Sequence, residues 1–153
     1  MALPNLETFC GDWQLYESRI YQIYLDTVVN GRLTHNGLRV ASQFRPETKG
    51  KGFGFWHLIS EGDTEEDRIP DIRRCERIRW VAWVIANSGT DKSISCWENK
   101  RGKNLHVVMW VEANNYVVVL AKRKGYYLIK TAYETTVRRA RSLSKERDKF
   151  LRG

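Results

Sequence analysis

Long apolar runs are missing from this chain. None approaches the roughly 20 residues a membrane helix needs, so no membrane span is expected. Met1 to Phe9 carries Pro4, Asn5 and Glu7 and no basic stretch, which predicts no signal peptide. Cysteine is scarce: Cys10, Cys75 and Cys96 are odd in number and form no Cys-x-x-Cys pair. Neither a disulfide framework nor a zinc site is expected, and a reducing cytoplasm fits. His35, His57 and His106 are the only histidines, and they lie too far apart in sequence for a His-x-x-x-His metal pair. No Gly-x-x-x-x-Gly-Lys phosphate loop exists; Lys51-Gly52-Phe53-Gly54 is too short and leads into no clear helix. A nucleophile elbow is also absent. No metal, nucleotide or other cofactor is expected.

What is present is a foldable, basic chain of 153 residues, 42% apolar and 29% charged, which fits one domain over 1–153. The charge is uneven. From Lys122 to Gly153 there are eleven Lys or Arg against three acids, a surplus of eight that equals the net charge of the whole chain. The rest is therefore neutral overall, and a basic end of this kind suits an anionic partner, nucleic acid before membrane.

The strongest structural pattern runs from Asn104 to Tyr133. Leu105–Val111, Tyr116–Ala121 and Tyr126–Tyr133 are rich in β-branched and aromatic residues. Glu112–Asn115 and Lys122–Gly125 separate them, with Gly125 free to take a positive φ. An antiparallel meander is predicted. On its last strand Tyr127, Ile129, Thr131 and Tyr133 should share one side, with Thr131 and Tyr133 two strand rises, roughly 6.6 Å, apart.

Before the meander, Asp12 should cap a helix that carries Trp13, Tyr16, Ile20 and Ile23 or Tyr24 on one side. A change from helix to strand falls somewhere in Ile20–Val29. Asn30-Gly31 and Asn36-Gly37 are turn signals, Leu38–Phe44 a short strand, and Arg45–Gly54 a mobile basic loop. The N-terminal helix and hairpin thus occupy 1–60. After the acidic run Asp63–Asp67, in which Thr64 and Asp67 have capping-box spacing, an arginine helix is expected within 64–87, with Pro70 in its first turn. Ile72, Cys75, Ile78 and Ala82 fall on one arc and Arg73, Glu76, Arg77 and Trp80 opposite. Arg79 lands on the apolar arc, either as an ion pair or as an inward phosphate clamp. Val81–Ala86 reads as strand or extended, Ser88–Asp91 as a turn, Ser93–Glu98 as a strand and Lys100–Lys103 as a basic turn. Sheet residues span 93–133, and Thr135 or Thr136 starts a basic helix over 134–153. The fold class expected is α+β: N-terminal helices on a four- to five-stranded antiparallel sheet, closed by that basic helix.

A histidine, several arginines and a Thr-x-Tyr pair are the parts a metal-independent ribonuclease needs. RNA supplies its own nucleophile, the 2′-hydroxyl, so the protein must move protons and neutralise a phosphorane. Imidazole suits the proton work. His57, followed closely by Glu61 and the arginine helix, is the best candidate, weighed against a packed histidine beside Phe55 and Trp56. His106 lies inside a strand and reads as packed; His35 lies in a turn and reads as solvated. Thr131 and Tyr133 can both reach one phosphate, or merely end a strand at solvent. The candidate RNA-binding cations are Arg73, Arg74, Lys100, Arg101, Lys122, Arg123, Lys124, Lys130, Arg138 and Arg139.

Phe55-Trp56-His57-Leu58-Ile59-Ser60-Glu61-Gly62, Glu66-Asp67-Arg68 and Pro70–Trp80 resemble motifs of a family of small phage-associated proteins. Trp97–Arg101, Tyr116–Arg123, Gly125–Leu128 and Thr131–Tyr133 do so as well. That family resembles nucleases of the barnase, EndoU, colicin and RelE superfamily. The resemblance implies N-terminal helices followed by a four-stranded antiparallel sheet, and an endoribonuclease acting as a phage or bacterial toxin. It implies an acid/base role for His57, a phosphate role for Arg77, and a Thr131/Tyr133 pair on the last strand. Where the family has prolines just after Trp80, this chain has Val81-Ala82-Trp83. The expected partner is RNA, with a cognate antitoxin or host factor as a second. The alternative function is a phage protein that binds RNA or DNA, or blocks a host defence, without cutting.

Overall fold

The structure is a computed structural model that describes residues 2–61 and 69–153. Gly62, the acidic run Asp63–Asp67 with its Thr64–Asp67 spacing, and Arg68 lie outside the described residues.

Asp12 opens helix α1, Trp13–Tyr24, by accepting from the Leu15 N–H. Tyr16, Ile20, Ile23 and Tyr24 recur at helical spacing and are buried. Leu25–Val29 continues as a π-helical turn closed by Asn30 N–H to Leu25 O, so Ile20–Val29 contains no strand. Tertiary burial decides this: Val28 reaches the same core as Ile20 and Tyr24. Asn36-Gly37 then makes a two-residue turn between β1, Thr34–His35, and β2, Leu38–Ala41.

The segment read as a loop ends in a helix instead: α2 spans Phe53–Ile59. The two-residue strands β3, Ser60–Glu61, and β4, Ile69–Pro70, pair antiparallel. Pro70 therefore sits in a strand, and Asp71 caps the next helix by accepting from Arg73 N–H. The expected arginine helix is two helices, α3 (Ile72–Glu76) and α4 (Ile78–Asn87), broken at Arg77 with φ −101° and ψ 17°. Val81–Ala86 lies wholly in α4, not in a strand. Its β-branched residues mislead because Ile78, Trp80, Val81, Ala82, Val84 and Ile85 are all buried, which erases a one-sided stripe.

Strands β5 (Ile94–Arg101), β6 (Asn104–Val111), β7 (Tyr116–Arg123) and β8 (Tyr126–Glu134) form the antiparallel meander and its neighbour. Gly125, at φ +83°, makes the last turn only two residues long. The whole sheet has six strands in the order β1-β2-β8-β7-β6-β5. It exceeds the expected count because the β1–β2 hairpin joins it, through a parallel pairing of β2 with β8.

The sheet carries a core on each face. Val107, Met109, Val118, Leu120 and Ile129 meet α1, α2 and α4 on one side. Trp97, Val108, Trp110, Val117 and Val119 are covered on the other by Leu143 of α5, Val137–Leu151, which Thr136 caps. Strand β7 is buried on both faces, which is why it reads as an unbroken apolar run. Among the described residues no helix is long and apolar enough to cross a membrane.

Candidate functional site

Among the described residues strand β8 is paired on its outer edge only at its start, Val40 to Tyr127 and Ala41 to Leu128. Beyond that point α2 and α3 pack against it instead of a strand. Opposite Val119/Leu120 the ladder slips: Val119 faces Thr131 and Leu120 faces Ile129, leaving Lys130 as an extra, bulged residue. The bulge overturns the expected alternation. Tyr127, Ile129 and Ala132 all belong to the first core, whereas Tyr133 packs with the second. Thr131 and Tyr133 thus do not share a face with Tyr127 and Ile129.

At this seam lies a cleft of about 500 Å³. His57 and Phe53 of α2, Ser60 and Glu61 of β3, Arg74 of α3, and Lys130 and Thr131 of β8 line it, with Arg123 at the end of β7. The wall that carries His57 is set by a close approach. Gly54 N–H donates to Gln43 O at 2.6 Å and Phe53 N–H to Phe44 O at 3.0 Å. A Cβ on Gly54 would stand 2.1 Å from Ser42 Oγ and 2.7 Å from Gln43 O. One turn later His57 stacks on Phe53, ring centroids 4.0 Å apart and 32° between planes. The His57 ring is therefore held at a fixed tilt on the cleft wall.

Arg74 occupies the position that the sequence reading gave to Arg77. Its Nη1 lies 3.5 Å from Thr131 Oγ1, and its guanidinium stands 5.6 Å from the centre of the Tyr133 ring. The carboxylates near it, Glu61 at 3.7 Å and Asp71 at 3.8 Å, are beyond hydrogen-bond reach. Its Nε has no hydrogen-bond partner among the described residues. Arg77 does not line the cleft. Its Nη2 pairs with Glu134 at 2.9 Å, its Nη1 with Glu76 at 3.6 Å and the Arg73 carbonyl at 3.0 Å, and it lies 5.1 Å from the Trp80 ring centre. Glu134 also takes Arg73 Nε at 2.6 Å, so Arg73 and Arg77 are held by one carboxylate. Tyr133 stands behind Arg74, and its hydroxyl accepts from Arg139 Nε at 2.8 Å.

Of the four expected catalytic residues, His57 and Thr131 share the cleft; Tyr133 backs it and Arg77 lies outside it. Of the expected RNA-binding cations, Arg74, Arg123 and Lys130 line it. Lys122 stands 5.3 Å from the Tyr127 ring centre. Lys100, Lys124 and Arg138 are exposed and do not line it. Arg101 ends β5, and its side chain lies outside the described set. Arg79, left open between two roles, is an ion pair with Glu7 at 2.6 Å, and with 42% of its side chain exposed it is not a buried arginine.

The other histidines differ from expectation in one case. His106 is buried, its Nε2 3.5 Å from Lys130 Nζ. His35 is half-buried in β1 and meets Tyr127 edge-on at 5.0 Å, not solvated in a turn, and that burial lowers its pKa. Cys75, between Arg74 and Glu76, is no nucleophile: burial, with Asp71 adding to it, pushes its thiol up to about 12. No group of three His, Cys, Asp or Glu able to hold a metal occurs among the described residues. The sequence reading missed the aromatic support of His57. The signal was the four-residue spacing of Phe53 and His57, visible only once a helix is assumed there. No family model, curated protein or solved structure matches the chain.

Proposed function

We propose that the protein is a metal-independent endoribonuclease, acting in the cytoplasm as a phage or bacterial toxin, with the cleft at the β8 bulge as its active site. The observation that carries this reading is the company His57 keeps. One imidazole, three cations (Arg74, Arg123 and Lys130) and two hydroxyls (Ser60 and Thr131), drawn from α2, α3, β3, β7 and β8, line a single open cleft. In the reaction, the 2′-oxygen of RNA forms a bond to the adjacent phosphorus and the bond from phosphorus to the 5′-oxygen breaks. His57 takes the 2′-hydroxyl proton. The leaving 5′-oxygen receives a proton from Lys130, which lines the same cleft and whose Nζ stands 3.5 Å from His106 Nε2. Arg74 carries the charge of the phosphorane. Among the described residues its nearest carboxylates, Glu61 and Asp71, are too distant to occupy its donors, so a phosphate can turn it without breaking a hydrogen bond to them. Thr131 donates a hydrogen bond to a phosphoryl oxygen, and Tyr133 with Arg139 behind it holds Arg74 in place. A cognate antitoxin would have to cover this cleft.

A second reading has one observation in its favour: Glu61 stands at the cleft 3.7 Å from Arg74, a negative group that repels phosphate. On that reading the protein grips RNA, DNA or a host factor, or blocks a host defence, without cutting. The test is to incubate the purified protein with total RNA in EDTA and map the ends. Expected are fragments ending in 2′,3′-cyclic phosphate, with none from a His57→Ala variant. Intact RNA in EDTA, or cleavage that the variant retains, overturns the reaction proposed.

A further inference from the structure

The cations of α5 divide into two sets. Arg139 and Arg147 point inward: Arg139 holds the Tyr133 hydroxyl, and Arg147 holds Ser95 and Glu112, each at 3.0 Å, and lies 5.0 Å from the Trp110 ring centre. Arg138, Arg141, Lys145 and Lys149 are all exposed. At 100° per residue these four fall within an arc of about 80°, centred opposite the buried Leu143. None has a carboxylate within ion-pair distance among the described residues. Asp148 borders the row, while Glu146 is turned to Trp97 and Asn99. Four like charges on one side of one helix repel one another by a few tenths of a kcal/mol per neighbouring pair. Among the described residues only Asp148 borders the row and no ion pair offsets that repulsion, whereas the neighbouring Arg139 and Arg147 are engaged.

From this division we infer that the outward row of α5 is a track for the phosphate backbone of single-stranded RNA. The four cations cover about 16 Å along one side of the helix, at 1.5 Å per residue. A row confined to one side of a helix meets successive phosphates of one flexible strand; the strands of a duplex wind away from it. An anionic membrane fits less well, because Ala140 and Leu143 of α5 are spent on the sheet and the exposed Val137, Phe150 and Leu151 are split between the two ends of the helix instead of forming one apolar face. The row also begins beside the cleft. Arg138 adjoins Arg139, which is bonded to Tyr133, over which Arg74 lies. RNA leaving the cleft past Tyr133 would meet the row end-on. The inference takes from the proposed reaction only that the anionic partner is RNA.

A fluorescent 12-nucleotide RNA with 2′-O-methyl riboses tests it, because that strand has no nucleophile and reports binding alone. Anisotropy is followed between 50 and 200 mM KCl for the wild type and for R138Q/R141Q/K145Q/K149Q. Four phosphate contacts at about 0.7 each add about 3 to the log–log salt slope, so the wild type should lose about 50-fold more affinity over that range than the variant. An Arg147→Gln variant should keep the wild-type slope. A quadruple variant that melts like the wild type and keeps its slope overturns the track. So does an equal change on a 12-base-pair duplex, or a wild type that prefers vesicles with 30% phosphatidylserine to the RNA. If the slope falls as expected and total RNA in EDTA stays intact, the track stands and the proposed reaction falls.

Discussion

Between Asn104 and Glu134 three strands of eight or nine residues pair along nearly their whole length, whereas between Ser42 and Arg77 no described element is longer than seven. The first region is held by a repeated ladder with a core on each face. The second is held by single contacts: Gly54 on Gln43, Asp71 capping α3, Glu134 gripping Arg73 and Arg77. The cleft sits where they meet, with His57 and Arg74 from the short elements and Lys130 and Thr131 from the ladder. A regular sheet resists distortion and so offers a firm floor. Short helices can be placed at angles that a ladder does not allow. In this molecule the sheet supplies rigidity, both regions supply polar groups to the cleft, and the bulge at Lys130 joins the two.

The sharpest way to break this division is to strike each region once. His57→Ala, in the second region, is expected to cut RNA cleavage by about 10²–10⁴, the range for a lost general acid or base. Its urea midpoint should stay close to the wild type, because His57 is half-buried and touches Phe53 at the surface of the core. Leu120→Ala, in the first region, removes a fully buried side chain and should cost about 2–5 kcal/mol of stability. Cleavage per folded molecule should then be unchanged. A His57→Ala protein that unfolds as readily as Leu120→Ala would end the distinction.

Gly54→Ala is the next largest. Its Cβ would meet Ser42 Oγ, Gln43 O and, at 3.0 Å, Tyr24 Oη, two of them atoms that cannot turn away easily. Forcing an atom into such contact costs about 1–3 kcal/mol. The relaxation must tilt α2 and with it the His57 ring. Activity at a temperature where the variant is fully folded should therefore fall as well. A loss confined to stability would mean that α2 shifts without turning His57.

Arg74→Gln and Arg77→Gln sharpen the comparison within one stretch of chain. Arg77 is committed to Glu134 and Glu76, so its loss should remove both ion pairs, leave Glu134 to Arg73 alone and cost stability of about 1–3 kcal/mol. Among the described residues Arg74 makes no side-chain hydrogen bond shorter than 3.5 Å, so its loss should leave the melting temperature nearly unchanged while kcat falls. Reversed phenotypes would return the phosphate role to Arg77.

How much of this was legible in the residues follows the same division. The meander, the Asp12 cap and a C-terminal helix starting at Thr135 or Thr136 follow from β-branched runs, capping residues and turn residues, because those signals are local. The site was half legible. His57 and Thr131 were singled out by chemistry alone and meet in the cleft. Choosing Arg74 over Arg77 needed the helix break at Arg77, which no capping residue or glycine announces. The face of Tyr133 needed the bulge at Lys130, a property of how β7 and β8 register against each other. The α4 segment misled because burial on nearly all sides leaves no period to read.

The smallest expected effect lies at the far edge of the sheet, where β1 meets the start of β8. Burial holds the His35 pKa below the ordinary imidazole value, and the charge of Glu98 opposes that shift. Folded protein thus binds fewer protons at His35 than the unfolded chain does, so stability rises with pH in this window. The contribution is whole above the ordinary imidazole pKa of about 6.5 and is lost as the pH falls from there through the lower folded value. Urea midpoints at pH 7.5 and pH 5.0 read it. His35→Phe keeps an aromatic ring against Tyr127 and removes the titration, so its midpoint should decline less on acidification than that of the wild type. Glu98→Gln removes the opposing charge, lowers the folded pKa further and should make the decline steeper. Both directions follow from the same pair of causes, so a His35→Phe midpoint that falls as far as the wild type's would assign the acid sensitivity to another group.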